Sequence, residues 1–378
     1  MRQNELISNG TLTGPGLHYL HMDTLGIING CINNVDQIQA YATFPRNNTY
    51  GVEAFTEGQY NDAMDQIGGP GGLIEQAEEC RRMQLAMDPD NYGDRERMNK
   101  FCARVEEQVA NTTIAVYTES KKFGWFDVTH PLSDPFPPQY LVGYLNQHWV
   151  QKALGVPVNH SAASGAVYEA FSGTGDISRG GMLEDLAYIL DHGVKVTLLY
   201  GDRDYACNWI GGEASSLKIP WTSQKEFAKA GYTALAVSPV HSAGLTRQYG
   251  NLSFTRVYQA GHLVPSYQPE AAYDIFMRAL LNKDIATGSV KVTDDYSTSG
   301  PSDTWWMRSD VLPAPEAECY SLSPSTCSKE QQEWLANGTA IVKDYIVVGR
   351  ERSHKLALEG ASLKNQGVQY PLGSKFDL

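Results

Sequence analysis

The chain has 378 residues, of which 42% are hydrophobic and 19% charged, and its formal net charge is −13. That length allows one large domain or two ordinary ones, and the negative balance argues against nucleic acid or an anionic membrane as partner. No apolar run reaches the roughly 18 residues of a membrane span, and the opening MRQNELISNG lacks the apolar region of a signal peptide.

In chain order, LHYLHMDTLGIING (17–30) predicts a strand that ends in a glycine-punctuated turn. A long insertion, 31–139, follows. It begins Asn-rich, breaks at GGPGG (68–72), and carries two helical segments, LIEQAEECRRMQLA with Cys80 and DRERMNKFCARVEEQVA with Cys102. The Pro-rich HPLSDPFPPQY (130–140) predicts a linker back to the main body. YLNQHWVQKALGV (144–156) predicts a short helix stopped by Gly155, and MLEDLAYILDHG (182–193) a helix with Leu183, Leu186, Ala187 and Leu190 on one face and Gly193 at its end. Two strands are predicted, VKVTLLY (194–200) and SFTRVYQ (253–259). After the second, PEAAYDIFMRALLNK (269–283) predicts a helix with Pro269 in its first turn and a buried stripe of Ala272, Ile275, Phe276, Ala279 and Leu280. Helix, glycine and strand in that order imply an α/β sheet protein. From about residue 284 the chain turns Ser/Thr/Asp-rich and runs into a tail.

The six cysteines suggest two bridges, Cys80 with Cys102 and Cys319 with Cys327, the latter closing CYSLSPSTC, with free buried thiols as the alternative, since sequence does not fix connectivity. Acceptor sequons stand at Asn9, Asn47, Asn111, Asn159, Asn251 and Asn337. Together these features favour passage through the secretory pathway. No C-x-x-C pair or His/Cys cluster points to zinc.

Chemistry in an open α/β sheet gathers outside the carboxyl ends of the strands. Asp202 and Asp204 stand at one such end, in LLYGDRDYACNWIG, and His262 follows the next predicted strand, in AGHLVP. A carboxylate there can fix the imidazole tautomer and steady the imidazolium formed in base catalysis. Spacing alone does not choose between the two acids, because residues two apart in an extended stretch share a face. An Asp after a strand is more often a turn former, and a lone His is more often structural. The order acid then histidine is nevertheless that of an α/β-hydrolase triad, Ser, Asp, His.

YGDRDYACNWIGG and LSFTRVYQAGHLVPSYQPEAA resemble the aspartate and histidine segments of the serine carboxypeptidases, an α/β-hydrolase family. YLNQHWVQKALGV and MDTLGIINGCINN are similar to further segments, and the likeness spans most of residues 1–310. The resemblance implies an α/β-hydrolase core in 1–30 and 140–310, a helical cap in 31–139 and a C-terminal extension in 311–378. It implies Asp204 as the catalytic acid, His262 as the base, and Cys207 and Leu263 at the substrate pocket. The implied substrates are peptides or proteins with a free C-terminus, without metal or organic cofactor, in a secreted or vacuolar setting.

Two family segments are absent. No G-E-S-Y-G-G or G-x-S-x-G nucleophile turn occurs, and the W-N-G-G-P-G oxyanion segment is missing. The nearest serine context, VHSAG around Ser242, lacks the first glycine and falls between Asp204 and His262, which breaks the triad order. The chain therefore reads as the C-terminal two-thirds of such an enzyme, inactive by itself. Two rival expectations are a non-catalytic secreted binding relative and a serine carboxypeptidase-like acyltransferase.

Overall fold

A computed structural model describes residues 1–132, 140–238, 241–312 and 318–351. The chain divides into two units, Met1–Glu316 and Ala317–Leu378. In the first unit a five-stranded sheet is built from β1 (Thr24–Ile28), β2 (Lys195–Gly201), β3 (Thr233–Ser238), β4 (His241–Tyr249) and β5 (Leu252–Val257). Their spatial order is β1-β2-β5-β4-β3. The pairs β1–β2 and β2–β5 are parallel, whereas β5–β4 and β4–β3 are antiparallel.

Strand β2 is buried along nearly its whole length, so both of its faces must be covered. Side chains alternate along a strand, and the two faces feed different cores. Val196, Leu198 and Tyr200 join the larger one, with Phe254, Trp209 and Ile38. Leu199 joins a smaller one with Val257, Ala271, Ile275 and Ala279. The helix Pro269–Leu280 covers that second face with Ala271, Ile275 and Ala279. The stripe expected from sequence is therefore rotated. Ala271, Ile275 and Ala279 are buried, while Phe276 and Leu280 are 62% and 48% exposed. The buried line runs at a spacing of four residues through Ala271, Ile275 and Ala279, with Ile275 filling the core between two alanines.

Other elements follow their local signals. The first strand is confined to Thr24–Ile28 rather than the wider 17–30. The helix His148–Leu154 stops at Gly155, whose φ of 69° is the left-handed conformation that glycine adopts without strain. Helix Met182–Asp191 feeds β2 through Gly193, at φ 81°.

Between β1 and residue 119 the regular elements are helices: Asn34–Thr43, Glu57–Gly68, Leu73–Met87 and Glu96–Val109, with shorter turns to Glu119. Helices Leu73–Met87 and Glu96–Val109 are joined by the Cys80–Cys102 disulfide, with Cα atoms 5.4 Å apart and within normal bridging range. Most of the Pro-rich linker, 133–139, lies outside the described residues.

In the second unit Cys319 is bridged to Cys327, and the helix Lys329–Ala336 starts on a Ser328 capping box. The hairpin of β6 (Ala340–Lys343) and β7 (Ile346–Arg350) turns at Asp344 and Tyr345. Both have positive φ, 49° and 66°, the backbone of a two-residue turn that matches strand twist. The rest of the tail, from residue 352, lies outside the described residues.

Candidate active site

Strands β1, β2 and β5 are parallel neighbours, so their carboxyl ends open at one edge of the sheet. The turns after β2 and β5 meet closely there. Asp202 N donates to Val257 O at 3.0 Å, and Arg203 N to Ala260 O at 2.9 Å. A Cβ on Gly201 would lie 2.3 Å from Gly261 O, and one on Gly261 would lie 2.4 Å from Phe126 O. The glycines of GDRD and AGH are required by this approach of backbones.

The paired turns bring Asp204 to His262. Asp204 Oδ2 lies 2.8 Å from His262 Nδ1, with the carboxylate fully buried and the imidazole side chain 27% exposed. Burial lowers the His262 pKa, but the hydrogen bond and charge of Asp204 outweigh it and hold the imidazole above its ordinary 6.5. Burial pushes the Asp204 carboxyl up, opposed by His262, the Asn29 amide and the Cys207 N–H. With Nδ1 occupied by the acid, Nε2 is the ring nitrogen left for proton transfer.

Asp202 is equally buried but faces elsewhere. Its Oδ1 accepts from the Tyr50 hydroxyl at 2.5 Å and Gln259 N at 3.0 Å. Its Oδ2 accepts from Arg256 Nη2 at 3.1 Å. Arg256 is itself fully buried and donates to Thr304 O, Thr49 Oγ1 and Met307 O, with Trp209 under its guanidinium. Asp202 is thus the anion of a buried ion pair that holds β5 and the turn at Gln259. Asp204, the second acid, is the one that contacts the imidazole.

Four further residues at this site were not legible from sequence. Asn29, at the end of β1, donates Nδ2 to Asp204 Oδ2 at 2.6 Å and accepts from Gly201 N at 3.0 Å. Its φ of 45° is tolerated by Asn better than by most residues, so the Asn-Gly pair after a strand was the available signal. Phe126, from the segment before the linker, packs its ring 4.8 Å from that of His262 and accepts the His262 N–H at 2.9 Å. Trp125 O likewise accepts from Ala206 N at 3.1 Å. Cys31 is bridged to Cys207. With two pairs assigned, the two remaining cysteines were the signal for this third bridge.

Cys207, read from sequence as a pocket residue, is 8% exposed and carries no free thiol, while Leu263, next to His262, is 48% exposed. Ser242 lies on β4 with its hydroxyl donated to Gly244 O at 3.0 Å.

A mixed sheet whose central strands β2 and β5 are buried, with an acid and a histidine at their neighbouring ends, defines an α/β-hydrolase architecture. A family model described as serine carboxypeptidase matches residues 7–282. The chain is 47% identical to Carboxypeptidase S1 homolog A of Arthroderma otae, over 91% of this chain and 54% of that protein. It is 40% identical to Carboxypeptidase Y homolog of Arthroderma benhamiae, over 92% of this chain and 56% of that protein. A solved structure of Kex1(delta)p, a prohormone-processing carboxypeptidase from Saccharomyces cerevisiae, aligns with a TM-score of 0.48 and 18% identity, covering 73% of this chain and 58% of that one. The chain belongs to the serine carboxypeptidase family, and it spans about half the length of the curated relatives it matches.

Proposed function

We propose that Asp204 and His262 are the acid and base of a serine-type carboxypeptidase that removes C-terminal residues from peptides and proteins. The observation that carries this reading is the 2.8 Å contact between a buried carboxylate and a partly exposed imidazole at adjacent strand ends. His262 takes the proton of an attacking serine hydroxyl through Nε2 and then gives it to the leaving amine, while Asp204 holds the ring and stabilises the imidazolium. Cys207 and Leu263 border the substrate beside this pair. Three disulfides suit a secreted or vacuolar setting.

The nucleophile is not among these residues, since no G-x-S-x-G occurs in the 378. Residues 1–378 by themselves are therefore inactive. That same absence favours a second reading, a non-catalytic secreted binding relative. A chimera separates the two. A segment carrying the G-E-S-Y-G-G serine turn of the family is joined to residues 1–378, and release of C-terminal residues from blocked dipeptides is assayed at acidic and neutral pH. We expect turnover that His262→Ala abolishes in the chimera, and none from residues 1–378. A folded chimera without turnover would support the binding reading. His262-dependent turnover by residues 1–378 would overturn the assignment of inactivity.

A further inference from the structure

A buried carboxylate that orients an imidazole must itself be held. Asp204 accepts three hydrogen bonds besides that of His262: from Asn29 Nδ2 at 2.6 Å, Ala206 N at 2.9 Å and Cys207 N at 3.2 Å. All three donors lie at or within two residues of one disulfide, Ala206 being next to Cys207. Asn29 lies two residues before Cys31, and Cys207 is the other half of the bridge. The bridge joins positions 176 apart in sequence, with Cα atoms 5.2 Å apart, and so ties the turn after β1 to the turn after β2. Asn29 reinforces the same junction, because its Oδ1 accepts from Gly201 N and its own N–H donates to Leu199 O at 2.8 Å. Tyr41 adds a further tie by donating its hydroxyl to Ala206 O at 2.7 Å.

We propose that Asn29 and the Cys31–Cys207 bridge form one positioning unit for Asp204. The proposal rests on the reading of Asp204 and His262 as the working pair. Neither Asn29 nor the bridge takes part in bond making. They restrict the carboxylate to the orientation in which Oδ2 meets Nδ1. Without the bridge, the β1 turn and the β2 turn keep their hydrogen bonds and packing but lose the covalent tie, so the Asn29 amide and the Cys207 N–H are less closely fixed with respect to one another.

The test is nuclear magnetic resonance of His262 in residues 1–378, which needs no peptide hydrolysis. Two signals are followed: the imidazole titration and the downfield resonance of the proton in the Nδ1–Oδ2 bond. The variants are the double change Cys31→Ala with Cys207→Ala, and Asn29→Gly, which keeps the left-handed backbone and deletes the amide. In the double variant the titration should move down toward 6.5, the ordinary value, and the downfield resonance should broaden into exchange with water. Asn29→Gly should broaden the same resonance in a folded chain. A merely structural role would lower the denaturation midpoint and leave both signals in place. The proposal is overturned if either variant folds and keeps both signals of the parent chain. Should the double variant fail to fold, Asn29→Gly decides alone. Asp204→Asn is the control, because an unchanged His262 in that variant would mean that the pair, not its positioning, has been misread.

Discussion

Asp202 and Asp204 stand two residues apart, both with no exposed side-chain area, yet they belong to two different kinds of site. Around Asp202 every partner is a fixed donor: a buried guanidinium, a tyrosine hydroxyl and a backbone N–H. Around Asp204 one partner is an imidazole open to solvent on part of its surface. Burial does not tell the two acids apart. The chemistry of the partner does, since only the imidazole can change its protonation in the physiological range.

The contrast is broken most severely at Asp202. Asp202→Asn leaves Arg256 buried without a counter-charge, and loss of one partner of a buried pair costs about 3–5 kcal/mol. Chemical denaturation should show that loss, and a change below about 1 kcal/mol would mean that the ion pair does not hold β5. Next come the two faces of the helix Pro269–Leu280. Ile275→Ala opens a cavity in the core and should cost about 2–4 kcal/mol, whereas Phe276→Ala on the exposed face should stay within about 0.5 kcal/mol. Equal losses at the two positions would restore the stripe read from sequence.

A pH-dependent effect concerns Glu106, which accepts from Ser178 N at 3.1 Å. Burial raises its pKa to about 7, against the backbone N–H groups of Ser178 and Ile177 that lower it, and Asp176 raises it further. A carboxyl raised above its unfolded 4.5 adds stability that is fully present below 4.5 and lost as pH rises through about 7. Glu106→Gln should therefore raise the melting temperature at pH 8 relative to the parent chain and have little effect at pH 4. A pH-independent difference would contradict the burial of an ionising group.

Much of this arrangement was legible because it is local. Strand β2 is marked by an apolar run ended by a glycine turn and β5 by alternating apolar residues before Gly261, and Pro269 and Gly155 mark helix boundaries through their own backbone preferences. Resemblance, not spacing, selected Asp204 over Asp202. Asn29 escaped because its contact with Asp204 spans 175 residues, and no local pattern reports such a distance. Phe126 escaped for the same reason, lying in a segment read as insertion. On Pro269–Leu280 the buried Ile275 and Ala279 were legible, whereas Phe276 and Leu280 are exposed, because apolar size alone does not decide which side of a helix faces the sheet.

His262 reports directly which of the two acids it senses. Its imidazole pKa should be measured by nuclear magnetic resonance in residues 1–378, in Asp204→Asn and in Tyr50→Phe, the last weakening only the Asp202 network. The parent chain should titrate above 6.5, because the Asp204 charge and hydrogen bond outweigh burial. Asp204→Asn removes that charge and should bring the value below 6.5, where burial alone acts, while Tyr50→Phe should leave it at the parent value. A His262 that shifts in Tyr50→Phe and stays put in Asp204→Asn would contradict the assignment of the two aspartates.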